Sequence, residues 1–296
     1  MLVAVVATFL VCWWVGSRVQ VPSTVLSMVD RYVISVALPA LIVATMTQVD
    51  IGSRTVAPAV IAWASMATCT LAVLLLGRAL SWGRSTTGAL LLVAVLGNTS
   101  FLGIGAVRGL LGEDHVAAAI SYDQLGTFLA LATYGSWVAG RFGSGDSSAT
   151  GVARRLVTFP PFLALVVSFV LRRVELPVVF VDSLSAVGKT VAPVAMGALG
   201  LRFTLRVTRR ALLPSVWGLA VKMLVVPGCV AVVAVALGMR ADVVWATSVM
   251  QSAAPPMVTA GVVAVNAGLD DEVVSFMVGV GTLCSFALLP VVGLLF

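Results

Sequence analysis

Two stretches decide the fold: Gly97-Asn98-Thr99-Ser100-Phe101-Leu102-Gly103-Ile104-Gly105 and Gln251-Ser252-Ala253-Ala254-Pro255-Pro256-Met257-Val258-Thr259. Each interrupts a long apolar run with residues that helices tolerate badly. Glycine costs about 1 kcal/mol and proline about 3 kcal/mol in a helix interior. The second proline of the pair also removes a backbone donor. Broken helices at membrane depth are tolerated where they are buried in protein or line a cavity. The start of a half-helix offers N–H groups to an anion, and the end of one offers carbonyls to a cation or proton donor. Interruptions at corresponding positions of two halves are the best sequence-level pointer to a transport site.

The surrounding sequence is that of a membrane protein. Of 296 residues, 60% are hydrophobic and 10% charged, against about 25% charged in an average soluble domain. The mean hydropathy is +1.11. This excludes a soluble globular domain and a disordered chain. The +6 net charge is spread over short loops and forms no basic stripe, so no nucleic acid partner is expected. Cys12, Cys69, Cys229 and Cys284 lie far apart in apolar runs and read as small core residues. His115 is the single histidine, so no metal site and no cofactor are expected. A membrane-embedded enzyme lacks its nucleophile or metal cluster here. No GxxxxGK[ST] motif supports an ATP-driven pump.

A membrane-spanning helix needs about 20 mostly apolar residues. Residues 2–17, 32–49, 55–77, 85–107, 116–140, 156–171, 176–201, 211–239, 243–269 and 273–296 supply ten such runs. Barrel strands alternate and are shorter, so these runs predict helices. The first run lacks the basic start and small-x-small cleavage site of a signal peptide. Connections after odd-numbered runs hold Arg18, Arg31, Arg78, Arg84, Arg141, Arg154, Arg155, Arg202, Arg206, Arg209 and Arg210. Those after even-numbered runs hold only Arg54, Arg108, Arg172, Arg173 and Arg240. The positive-inside rule then puts the odd connections in the cytoplasm and both termini outside. The acidic connection Asp270-Asp271-Glu272 departs from this pattern.

The Gly- and Ser-rich connection 141–155 divides the chain into residues 1–140 and 156–296, five runs each. Five is odd, so two homologous halves must cross the membrane in opposite senses, a plan common among secondary transporters. Leu38-Pro39-Ala40-Leu41-Ile42 in the second run and Ala192-Pro193-Val194-Ala195-Met196 in the seventh are a further weak echo.

LPALI at 38–42, GNTSFLGIG at 97–105, APVAMGALG at 192–200, QSAAPPM at 251–257 and SFMVGVGTLCSFALLPVVG at 275–293 together resemble the auxin efflux carrier family. That family includes plant PIN-type carriers and bacterial malate and malonate carriers. The resemblance runs over nearly the whole chain. It implies an all-α polytopic fold of ten helices in two inverted five-helix repeats, with broken helices four and nine crossing. It also implies a scaffold and a transport domain, a homodimer, and elevator-type alternating access for small organic anions in the cytoplasmic membrane. Where the family usually has a proline, this chain has Gly105, which restores a donor and adds backbone freedom.

On this reading Asn98, Ser100, Gln251, Ser252 and Thr259 are the substrate-binding candidates, and Gly103, Gly105, Pro255 and Pro256 make the breaks. The amide of Asn98 either binds a carboxylate or caps a half-helix. Ionisable residues inside spans are functional candidates by default. Of those here, which also include Asp182, the residues Asp123, Lys189 and Lys222 are assigned to ion or proton coupling or to drawing in the anion. Fixed ion pairing among them is the structural alternative. Coupling to protons or to sodium, the latter as in bile-acid carriers, stays open, as does a sensor that binds without translocating.

Overall fold

The computed structural model describes residues 2–19, 21–48, 53–144, 154, 157–174, 176–202 and 208–296. Most of the 141–155 connection and Arg206 therefore lie outside the described residues. Every regular element among the described residues is helical. Helix α1 is Leu2–Arg18, α2 Ser23–Met46 and α3 Ser53–Ala79. The first broken run gives α4, Arg84–Val93, and α5, Ile104–Leu110. Residues 116–142 form α6. In the second half come α7 Pro160–Leu171, α8 Val178–Gly188, α9 Val191–Arg202 and α10 Arg209–Ala236. The second broken run gives α11 Val243–Ser252 and α12 Val258–Asn266. Helix α13 is Asp271–Gly293. Among the described residues five helical stretches are long and apolar enough to cross a membrane: α2, residues 56–79 of α3, residues 178–198 across α8 and α9, α10 and α13.

Three boundaries differ from the sequence reading, each for a local reason. The second helix starts at Ser23, so Arg31 lies within it rather than in a connection, and Asp30 beside it is buried. The seventh run is split at Lys189-Thr190. Pro193 follows three residues later, and a proline ring conflicts with the preceding helical turn. The acidic triplet 270–272 is a helix start: Asp270 caps the N–H of Val273 at 3.3 Å, and Asp271 and Glu272 sit in the first turn, where the helix dipole favours negative charge. Its acidity therefore serves α13 and does not weaken the arginine bias.

Prolines also shape two helices from within. Pro39 has no N–H to offer Ser35, and α2 answers with a π turn at Val33–Ala37. Pro227 likewise follows a π turn in α10, Val221–Val225, and that turn carries Lys222. Helix α6 is wound wider at Tyr122–Phe128, which presents Asp123. Two of the three ionisable candidates thus sit on π turns, a feature frequent at functional sites.

The packing falls into two groups. Helix α1 packs on α9, and α2 on α7 and α8. In the other group α3 packs on α6, α10 on α11 and α13, and α4 on α6 and α12. The groups meet where α9 lies against α12 and α13 and where α2 lies against α12. In the first group backbones touch closely: a Cβ on Gly200 would lie 2.6 Å from the carbonyl of Phe9. Gly200→Leu is expected to lower the melting temperature of purified protein by forcing α1 off α9; an unchanged melting curve would show that this contact is slack. By contrast Gly105 and Gly109, which have the GxxxG spacing that favours close helix packing, have nothing within 4 Å of their Cβ positions. The outer surface is apolar, with Val179 78%, Val232 68% and Met28 66% exposed. Cys229 and Cys284 belong to that surface, contrary to the core assignment, while Cys69 is buried.

Connections that follow odd-numbered runs gather at one end. Arg84 donates to the carbonyl of Arg141. The N–H of Ser144 donates to Ala267 at 2.9 Å, and the hydroxyl of Thr86 donates to Asp270 at 2.7 Å. Thr208 meets Glu272 at 2.8 Å. Even-numbered connections make separate contacts: Arg108 with Glu113 of the same connection at 2.9 Å, His115 with Thr247 of α11 at 2.9 Å, and Arg240 with the carbonyl of Leu295 at 2.6 Å.

Candidate functional site at the crossing of two broken helices

The two breaks meet. The N–H of Asn98 donates to the carbonyl of Pro255 at 2.7 Å, and the N–H of Met257 donates to Leu96 at 2.9 Å. Gly97 and Pro256 form an isolated antiparallel bridge between these bonds. Two short unwound strands, one from each half of the chain, thereby satisfy each other's backbone groups inside the protein. This answers the requirement that freed backbone polar groups be paired at membrane depth. Pro256 also touches Gly281 of α13, where a Cβ would lie 2.5 Å from the proline ring.

Around the crossing the side chains are polar and buried: Asn98 2%, Thr99 1%, Asp123 0%, Gln251 0% and Thr259 4% exposed. Asn98 caps the turn Thr99–Gly103, its Oδ1 accepting from the N–H of Phe101 at 3.4 Å. Its Nδ2 has no hydrogen-bond partner. Gln251 donates from Nε2 to the carbonyl of Ala119 at 3.0 Å, while its Oε1 has no partner. Gly103 has no Cβ because Gln251 Oε1 occupies that position. The hydroxyl of Thr259 is likewise buried and unpartnered. Unsatisfied polar groups in a dry interior each cost about 1–3 kcal/mol, so a concentration of them calls for an explanation.

Asp123 closes one flank. Its Oδ1 accepts from the hydroxyls of Thr99 and Ser100, each at 2.6 Å, and its Oδ2 accepts from Gln124 Nε2 at 2.8 Å. Lys222 closes the other. Its ammonium donates to the carbonyl of Ser252, the last residue of α11, at 3.3 Å. It also crowds Gly97, whose Cβ position lies 2.9 Å from Nζ. Among the described residues neither forms a salt bridge.

The predicted residues are not all brought together. Asn98, Ser100, Gly103, Asp123, Lys222, Gln251, Ser252, Pro255 and Pro256 surround the crossing, and Thr259 is in the first turn of α12 beside it. Ser252 contributes its carbonyl to Lys222, and its hydroxyl turns back to Val249 at 2.8 Å. Gly105 is exposed within regular helix α5, past the break. Lys189 is exposed at the end of α8, next to Gly188, which packs on Leu41 of α2. Thr99 and Gln124, which join Asp123 at the site, are not among the candidates drawn from the sequence. A hydroxyl two residues from a break, and an amide following an intramembrane acid, were the available signals. Among the described residues no cluster of His, Cys, Asp and Glu is suited to a metal ion.

A buried, polar, two-stranded crossing inside an apolar helical protein defines an integral membrane transport protein. Comparison with known proteins places the chain more closely. Residues 1–292 match the model of the membrane transport protein family, and the chain belongs to that family, in agreement with the auxin efflux carrier motifs. An uncharacterized transporter of Methanothermobacter thermautotrophicus is 26% identical over 269 residues, covering 89% of this chain and 87% of the relative. An uncharacterized transporter of Methanocaldococcus jannaschii is 33% identical over 119 residues, 38% of each chain. The protein is a transporter and not an enzyme.

Proposed function

We propose that the chain is a secondary transporter that moves a small organic anion through the crossing by elevator-type alternating access. The observation that carries this reading is the set of unpartnered polar atoms, Asn98 Nδ2, Gln251 Oε1 and Thr259 Oγ1, buried around two paired helix breaks. A carboxylate accepts from the Asn98 amide and from the half-helix N–H groups that start at Thr99 and Val258. Lys222 supplies positive charge on one flank. Asp123 sits on the opposite flank as a site for a coupled proton, reaching the crossing through Thr99 and Ser100.

In this reading ten spans form two inverted five-helix repeats. Helices α1, α2 and α7–α9 make the scaffold, and the remaining helices carry the crossing past it. The apolar contact of α9 with α12 and α13 is the sliding surface. The crossing residues are buried in the present conformation, as an occluded intermediate requires.

The reading is tested by uptake into proteoliposomes containing purified protein. Auxin-like acids, dicarboxylates and amino acids are supplied in turn as radiolabelled substrates. One acid class is expected to accumulate above protein-free vesicles; no uptake of any acid, by protein that remains folded, counts against the proposal. Orientation has its own test. A cysteine placed at Ser147, in a chain whose four native cysteines are replaced, is expected to react only with cytoplasmic reagent. Labelling from outside would invert the proposed topology.

A further inference from the structure

Lys222 presents a problem that substrate binding alone does not solve. A charged side chain at membrane depth is costly and normally has a partner. Lys222 is 5% exposed, and among the described residues no carboxylate lies within salt-bridge distance of it. What surrounds it is main chain at the broken ends of two helices. Its Nζ is 3.3 Å from the carbonyl of Ser252, where α11 stops. It also lies against Gly97, four residues beyond the last residue of α4. Helix C-termini carry partial negative charge from unpaired carbonyls. The ammonium therefore sits where two such ends converge.

Capping a carbonyl does not need a charge. Close by, the thiol of Cys69, from α3, reaches the carbonyl of Ala94, just past the end of α4, at 3.4 Å and does that task neutrally. The positive charge of Lys222 thus has a separate role. One carbonyl, that of Ser252, is within reach at the join of two half-helices, a placement that suits a small monovalent cation. The π turn before Pro227 carries the residue.

We propose that the Lys222 ammonium is a tethered cation: it fills the place at the crossing that a dissolved ion such as sodium would otherwise occupy, so that the carrier needs no sodium. This rests on the transport reading for its consequence for flux, namely equal uptake with and without sodium. The occupancy itself is independent of that reading.

Thermal unfolding of the purified, detergent-solubilised protein in sodium chloride against choline chloride tests the occupancy. Wild type is expected to melt at one temperature in both salts. Lys222→Ala, which empties the position, is expected to melt lower in choline chloride and to regain part of the loss as sodium rises, as a newly created ion site predicts. Lys222→Met fills the space without charge and is expected to show no sodium response. Selective stabilisation of wild type by sodium overturns the proposal, because the ion then has a site of its own. So does a Lys222→Ala protein indifferent to sodium, potassium and methylammonium alike. If the alanine variant does not fold, wild type and Lys222→Arg still decide, since both must be insensitive to sodium. A protein with this salt pattern that moves no organic acid would keep the tethered cation and remove the transport reading of the crossing.

Discussion

Gly103→Val is expected to abolish uptake and to lower the melting temperature more than any other single change at the crossing. The position has no room: Gln251 Oε1 already fills the space of a Cβ. Gln251 is not free to swing aside, since its Nε2 is anchored to the carbonyl of Ala119 at 3.0 Å. Overpacking a tight interior costs about 1–3 kcal/mol, and here it also pushes apart two segments held together by main-chain hydrogen bonds. The double variant Gly103→Ala with Gln251→Ala removes the clash. Its melting temperature is expected to recover beyond the sum of the two single effects, as contacting residues do. Uptake is expected not to recover, because Gln251 is also assigned to substrate. A double variant that recovers both would leave Gln251 as a packing residue; one that recovers neither would mean that the clash is not the cause.

The second large effect is at Asp123. Three donors converge on its carboxylate, from Thr99, Ser100 and Gln124. Asp123→Ala leaves them without an acceptor in a fully buried place, at about 1–3 kcal/mol for each group that finds no other partner. Two of the three belong to the turn Thr99–Gly103, so that turn should loosen and uptake fall with it. Asp123→Asn is the informative contrast. It keeps a carbonyl oxygen for Thr99 and Ser100 but cannot ionise. This variant is expected to fold and to show uptake that no longer varies with pH. A pH profile identical to wild type removes Asp123 from proton coupling and leaves it as the post that orders the turn.

Much of this was readable from composition and spacing. The apolar runs located the helices, because lipid leaves the backbone no alternative to internal hydrogen bonding. Gly103 and the Pro255-Pro256 pair located the breaks, because their cost in a helix is intrinsic, whereas Gly105, read as a break residue for the same reason, lies within regular helix α5. What was not legible is three-dimensional. Nothing in the sequence indicates that Leu96 accepts from Met257, or that Gln251 reaches back to Ala119; these contacts span more than a hundred residues. The ionisable residues divide for the same reason. Asp123, Lys189 and Lys222 look alike as charges in apolar runs, yet Pro193 opens the seventh run at Lys189 and leaves it exposed. Pro39 and Pro227 did carry a signal that was missed: a proline two residues past a π turn explains where that turn forms. The helix-capping role of Asp270 was also available, from the acidic residues just before an apolar run.

The central claim is that the Asn98 amide, and not only its cap, serves the transported anion. The direct measurement is initial uptake in proteoliposomes by Asn98→Ala and by Asn98→Ser, which retains a capping oxygen, with melting temperature recorded on the same preparations. Losing the cap costs about 0.5–2 kcal/mol, and serine spares most of it. Both variants are expected to lose substrate-dependent uptake, with the serine variant melting close to wild type. Uptake at the wild-type rate by the serine variant would contradict the account: Asn98 would then only cap the turn, and the site would lie elsewhere.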